Sequence, residues 1–241
     1  MKTTSICLSL RLYKSLKNDF VIFQLRKAIM SLIVGIISQK GGVGKSTISR
    51  ALAAEYARNE WEVKIADFDL SQGTVTSWNA DRMANDITPR ISVEQFSSVD
   101  NLAKQKDHYD LIVVDGAPAS TRQTLDIAKL SHMLILPTKT TLDDLRPQIK
   151  LAHELRKNGV PKEKILFALS MVGDSKSELE GGKEYIEDAG YVYIGAVYRK
   201  DSIGQAHDSG RAANETPFKT VNQSVDQFIQ AVVDHLQQVS V

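Results

Sequence analysis

An α/β fold, a mostly parallel sheet covered by helices on both faces, is predicted by three observations. Apolar runs of strand length recur along the chain, helical patterns lie between them, and a glycine-rich segment joins the first run to the first helix. Strands separated by helices imply right-handed crossovers, which place helices on both faces of the sheet.

The elements follow in order. Strands are expected at 32–37, 62–67, 91–96, 110–115, 132–137, 164–170 and 191–198. A helix is expected from Thr47 to Arg58, with Ile48, Leu52, Ala53 and Tyr56 on one face. A second runs from Leu142 to Arg156, with Leu145, Ile149, Ala152 and Leu155 at helical spacing. From Val221 to Val241, the residues Val225, Phe228, Ile229, Val232, Val233 and Leu236 share a face, and no Lys or Arg is present. That segment reads as a packing helix, not as the basic amphipathic helix a membrane surface would need. No internal repeat or low-complexity linker interrupts the pattern. Residues 30–241 are expected to form one domain, and residues 1–29 a poorly ordered N-terminal extension.

Composition narrows the classes. The chain has 241 residues, 42% of them hydrophobic, and a net charge of only +1, which excludes disorder as the main state. No stretch approaches the ~18 consecutive apolar residues of a membrane span. The single cysteine, Cys7, allows no internal disulfide and no cysteine cluster for zinc or iron–sulfur within one chain. A reducing, cytoplasmic compartment fits this usage. Residues 1–29 carry six basic side chains and one acidic, which leaves the remaining 212 residues at −4. Bulk charge therefore does not predict a nucleic-acid binder; any such binding needs a local patch.

The chemistry concentrates in Ser38-Gln39-Lys40-Gly41-Gly42-Val43-Gly44-Lys45-Ser46-Thr47, between a strand and a helix. That is the context of a phosphate-binding loop, and it makes the fold a P-loop NTPase. Glycines let backbone N–H groups turn toward phosphates, Lys45 supplies a point charge, Ser46 offers a hydroxyl to Mg²⁺, and the helix N-terminus adds its dipole. The strand Leu111-Ile112-Val113-Val114 delivers Asp115, and the strand from Val63 ends in Asp67-Phe68-Asp69. Two carboxylates two apart on a strand point to one face, and such a pair calls for a cation.

Lys40-Gly41-Gly42-Val43-Gly44-Lys45-Ser46-Thr47 resembles the deviant Walker A motif of the ParA/MinD ATPases, most like the small plasmid-type ParA partition proteins. The resemblance extends over nearly everything from Ser31 onward. It implies ATP and Mg²⁺ as cofactors and ATP hydrolysis as the reaction. Gly41 to Thr47 would hold the nucleotide, Lys45 among them. Lys40 would be a signature lysine that reaches the partner subunit's nucleotide in an ATP-bound homodimer. Asp69 would orient the attacking water, while Ser46, Asp67 and Asp115 would serve the metal. Ser71-Gln72-Gly73 with Trp78 resembles a further stretch of the family, in which Leu70-Ser71 stands for a proline step; Trp78 is expected to pack. Gly116-Ala117-Pro118 resembles the second switch, with Ala117 for a proline. Ser170 stands where the family often has an Asn that contacts adenine. Basic residues after the last strand bind DNA in the family, and the matching candidates here are Arg199, Lys200, Arg211 and Lys219.

The function so implied is DNA partition, of a plasmid or chromosome. It would work by ATP-dependent dimerisation, non-specific DNA binding and a centromere-binding adaptor of the ParB type, with the protein associated with the nucleoid and not with a membrane. The alternative is a MinD-like or related ATPase that positions a protein cluster or the division or transfer machinery.

Overall fold

Alternate residues of each strand face opposite sides of a sheet, and here both sides are buried. Val34 and Ile36 of β1 (Leu32–Ser38), with Leu111 and Val113 of β4 (Leu111–Pro118), point into one core, and Ile33, Ile37, Ile112 and Val114 point into the other. The computed structural model describes residues 31–119 and 122–239; the expected extension at 1–29 lies outside the described residues.

The remaining strands are β2 (Val63–Asp67), β3 (Ser92–Gln95), β5 (Met133–Thr138), β6 (Ile165–Val172) and β7 (Val192–Tyr198). They form one seven-stranded sheet in the order β3-β2-β4-β1-β5-β6-β7, parallel at every pairing. Because every strand runs the same way, all C-terminal strand ends lie along one edge of the sheet and all N-terminal ends along the other. The predicted strands are all present, with ends shifted by one or two residues, except that β4 continues through Gly116-Ala117-Pro118.

Helices cover both faces. On one side pack α1 (Lys45–Arg58), α2 (Thr74–Ala84), α7 (Asp201–Asp208) and α8 (Lys219–Val239), through residues such as Ile48, Leu52, Trp78 and Ile203. On the other pack α3 (Val99–Ala103), α4 (Arg122–Leu130), α5 (Leu142–Lys157) and α6 (Lys176–Asp188), through Leu102, Ile127, Leu145, Ile149, Ala152 and Ile186. The C-terminal segment is a packing helix as expected: Val225, Phe228, Ile229, Val232 and Leu236 are all at most 4% exposed in the first core. Among the described residues no helix is long and apolar enough to cross a membrane.

A clasp joins α2 to the segment before α8. Arg82 is 1% exposed, and its guanidinium donates to both carboxylate oxygens of Glu215 (2.7 and 3.1 Å) and to the carbonyls of Gly210 and Pro89. Gly210 has φ 77°, and a Cβ there would lie 2.2 Å from the backbone nitrogen of Arg82, so only glycine permits this approach. Trp78, packed as expected, also donates its indole N–H to the carbonyl of Arg211 at 3.0 Å.

Candidate active site

The C-terminal edge of the sheet carries the loop from Ser38 to Thr47. The loop closes on itself: Ser38 Oγ donates to the Lys40 carbonyl at 2.6 Å, and Lys45 Nζ donates to Ser38 Oγ at 3.3 Å. Gly44 caps α1 in the left-handed region at φ 84°, and a Cβ there would meet Ser170 Oγ at 2.2 Å. The last loop glycine is therefore fixed twice, by its backbone angle and by the side chain against it. α1 starts at Lys45, two residues before the expected Thr47, so Lys45 and Ser46 belong to its first turn.

From the neighbouring helix, Gln148 holds the loop's beginning. Its amide donates to the Ile37 carbonyl at 2.9 Å and accepts from the Gln39 N–H at 3.1 Å, at 2% exposure. Lys40 Nζ lies 3.1 Å from Asp144 Oδ1, in the first turn of the same helix.

Asp115 stands across from Asp67 in the β2–β4 register. Its two oxygens accept from Ser46 Oγ at 2.7 Å and Ser49 Oγ at 3.0 Å. Burial, with the nearby Asp67 charge, pushes its pKa up to about 6 against the pull of Ser46, Lys45 and Ser49. Asp67 is fully buried and also raised by burial, against the hydrogen bonds it accepts from the Asp69 N–H (3.0 Å) and from the N–H and hydroxyl of Thr76 (3.3 and 2.9 Å). Asp67 thus ties the loop after β2 to the first turn of α2. The expectation that Asp67 and Asp69 share a strand face is corrected, since β2 ends at Asp67. Asp69 lies instead in a turn, half-buried, where it accepts from Ser71 Oγ at 2.7 Å and the Gln72 N–H at 3.2 Å.

Two cations offset the buried carboxylates. Burial lowers the pKa of Lys45, with Asp115 and Asp69 pulling it back up. Burial lowers Arg50 to about 10, again against Asp115 and Asp67; its guanidinium donates to the Thr74 carbonyl at 2.7 Å and lies over the Trp78 ring. The oxygen-donor set of Ser46, Asp115 and the adjacent Asp67 suits a hard cation such as Mg²⁺. The inward-turned loop with Lys45 and the start of α1 suits phosphate.

Beside the loop, a cavity of 560 Å³ is lined by Thr47, Ser170, Met171, Arg199 and Lys200 together with residues along the whole of α7. Ser170 Oγ is buried there, and among the described residues it has no hydrogen-bond partner. Met171, exposed at the rim, has φ 57°. The four candidate DNA contacts are all exposed but divided. Arg199 and Lys200 line this cavity, with Lys200 paired to Asp174 at 3.2 Å. Arg211 follows the far end of α7, and Lys219 opens α8. The eight residues of α7 separate the first pair from Arg211 by about 12 Å of helix.

Sequence reasoning missed Gln148, Ser49, Arg50, Thr76 and Asp144. The readable signal was a polar side chain on an apolar helical face: Gln148 between Leu145 and Ile149, and Ser49-Arg50 between Ile48 and Leu52.

Comparison with known proteins agrees with this fold. Residues 34–213 match the family described as the CobQ/CobB/MinD/ParA nucleotide binding domain. Over 130 residues, half of the chain, there is 33% identity to a maintenance of carboxysome distribution protein A from Gloeobacter kilaueensis. That match spans 55% of the curated relative's length. Among solved structures, the cell division ATPase MinD of Pyrococcus furiosus superposes with a TM-score of 0.68 at 16% identity, covering 85% of this chain and 99% of that one. The ATP complex of a Cyanothece McdA variant gives 0.65 at 14% identity, covering 85% and 97%. At these identities the structures share the fold.

Proposed function

From a chain that belongs to the CobQ/CobB/MinD/ParA nucleotide-binding family, we infer a Mg²⁺-dependent ATPase of the ParA type, its ATPase domain spanning residues 30–241. In this reading ATP drives formation of a homodimer, the dimer binds DNA without sequence preference on the nucleoid, and a ParB-type adaptor stimulates hydrolysis and release. The cargo is DNA, a plasmid or a chromosome.

The observation that carries the reading is the pair of lysines on one loop. Lys45 is buried in the loop, whereas the Lys40 side chain is 43% exposed at its edge. Lys45, with Gly41 to Thr47, would hold the phosphates. Ser46 and Asp115, with Asp67 beside them, would hold the magnesium ion, which neutralises phosphate charge when bound. Asp69, free of the strand and next to the loop, would orient water. Lys40, once released from Asp144, would add a second cation from across a dimer, where charge develops in phosphoryl transfer.

The similarity to the Gloeobacter carboxysome distribution protein favours a second reading, in which the same cycle positions a protein cluster. A mobility shift on two unrelated duplexes tests the step on which the DNA-cargo reading depends. Binding with ATP and none with ADP is expected; no shift with ATP removes the DNA-cargo reading.

A further inference from the structure

Away from the nucleotide loop, one part of the surface breaks the charge balance of the chain. Residues 145–164 hold six Lys and Arg against two carboxylates, a net +4 within a body whose total is −4. The segment expected to bind DNA, 199–219, holds four cations against three carboxylates, a net +1.

The fold turns that sequence excess into a surface. Arg146, Lys150, His153 and Lys157 are spaced by four, three and four residues along α5, which places them on one face over roughly 16 Å. All four are exposed. Past the end of α5, the chain turns back toward β6 and leaves an open groove of 880 Å³, lined by Lys150, His153, Arg156, Lys157 and Lys162, with Glu154 and Glu163 as its acidic members. Among the described residues, Arg156, Lys157 and Lys162 pair with no carboxylate, and the Lys150–Glu154 approach is 4.0 Å on a lysine that is 73% exposed. The last turn of a helix favours cations, which accounts for Arg156 and Lys157. It does not account for Lys150, more than a turn earlier, or for Lys162 beyond the helix.

We propose that this groove at the C-terminal end of α5 is the surface that takes the phosphate backbone of duplex DNA. The proposal rests on the DNA-binding reading and names its site. Flexible lysines and arginines on an open surface suit sequence-independent phosphate contact. No Phe, Tyr or Trp lines the groove, so it lacks the large apolar anchors on which protein interfaces most depend. The groove lies at the start of β6, on the N-terminal edge of the parallel sheet, while the phosphate loop lies on the C-terminal edge. DNA and nucleotide then occupy opposite ends of the protomer, so that neither ligand obstructs the other.

The test uses the full chain loaded with a non-hydrolysable ATP analogue and two unrelated duplexes, with affinity measured by anisotropy across a salt series. Lys150→Glu/Lys157→Glu/Lys162→Glu should weaken binding at least ~30-fold, flatten the salt slope by about 0.9 for each DNA phosphate no longer neutralised, and leave unstimulated ATP turnover unchanged. The corresponding glutamines should fall between. If the triple variant binds like the wild type while Arg199→Glu/Arg211→Glu loses binding, the surface is at the other edge; the DNA reading then survives and this site does not. If the wild type binds neither duplex, both fall. If poly-glutamate of equal charge displaces as effectively as DNA, an acidic protein partner replaces DNA in this groove.

Discussion

Lys40 and Asp144 form an ion pair of 3.1 Å within one protomer, between the edge of the phosphate loop and the first turn of α5. Asp144 also accepts from the Thr141 hydroxyl at 2.8 Å. For Lys40 to reach a second subunit, this pair must open.

Asp144→Asn should therefore ease dimerisation. A partly exposed pair contributes about 0.2–1 kcal/mol and a dimer opens one in each protomer, so the dimer constant with a non-hydrolysable ATP analogue should rise by up to about 30-fold. Lys40→Ala should bind ATP normally and lose ATP-dependent dimerisation or stimulated turnover. Sedimentation of both variants checks this; an Asp144→Asn dimer weaker than the wild type would show that the pair supports the dimer instead of restraining it.

Binding and turnover should separate by residue. Lys45→Ala removes the buried cation of the loop and should abolish tight nucleotide binding. Asp69→Ala leaves the loop intact, and should retain ATP while turnover falls well below the parent rate. Equilibrium binding of a fluorescent ATP analogue beside a phosphate-release assay distinguishes the two.

Gln148→Leu should damage the loop from behind. It leaves the Ile37 carbonyl and Gln39 N–H without their partner, and each unsatisfied buried group costs about 1–3 kcal/mol. A lower melting temperature together with weaker nucleotide binding is expected. A stable protein with normal affinity would mean that water replaces the amide.

Acid should weaken the fold through His207. Burial, with the Arg50 charge, lowers its pKa from 6.5 to about 3, so the folded chain keeps it neutral. Its contribution is complete above pH 6.5 and is lost as pH falls toward 3, at about 1.4 kcal/mol per unit. Glu215 acts in the same sense at lower pH: burial opposes its charge, but the Arg82 fork and the Ala212 N–H outweigh it and depress its pKa, so its stabilisation fades below about 4.5. Asp115, raised to about 6, acts in the opposite sense. The difference between wild type and His207→Phe isolates the histidine, and it should shrink steadily as denaturant melts are run from pH 7 to pH 5.

What the sequence made legible was whatever depends on local order. Strand, glycines and Gly44-Lys45-Ser46 are contiguous, so the loop and its helix could be read directly. Asp115 was legible because four apolar residues lead straight into it. Gln148, Asp144 and Arg50 act across distances that pattern cannot measure: Gln148 meets Gln39 from 109 positions away. Asp69 illustrates the reverse error. Two-residue spacing implied a shared face, but the strand stops at Asp67, whose carboxylate turns to cap the next helix. The basic groove was hidden for a different reason. Its cations come from a helix and from the turn beyond it, and only the fold shows that they border one surface.

The Arg82–Glu215 clasp also sets an order of events on the ribosome. The two residues are 133 positions apart, so α2 emerges and meets its sheet long before its latch has been synthesised. α2 begins at the loop that Asp67 and Thr76 tie together, beside the phosphate site. The loop itself waits for Gln148 and Ser170, more than 100 residues later, and the neighbouring helix stays unfastened at its far end longer still. Glu215, and the glycine that lets it close on Arg82, arrive only within the last stretch before α8. A chain that ended between Ser170 and Gly210 would keep the residues that hold the phosphate loop and lose those that fasten α2.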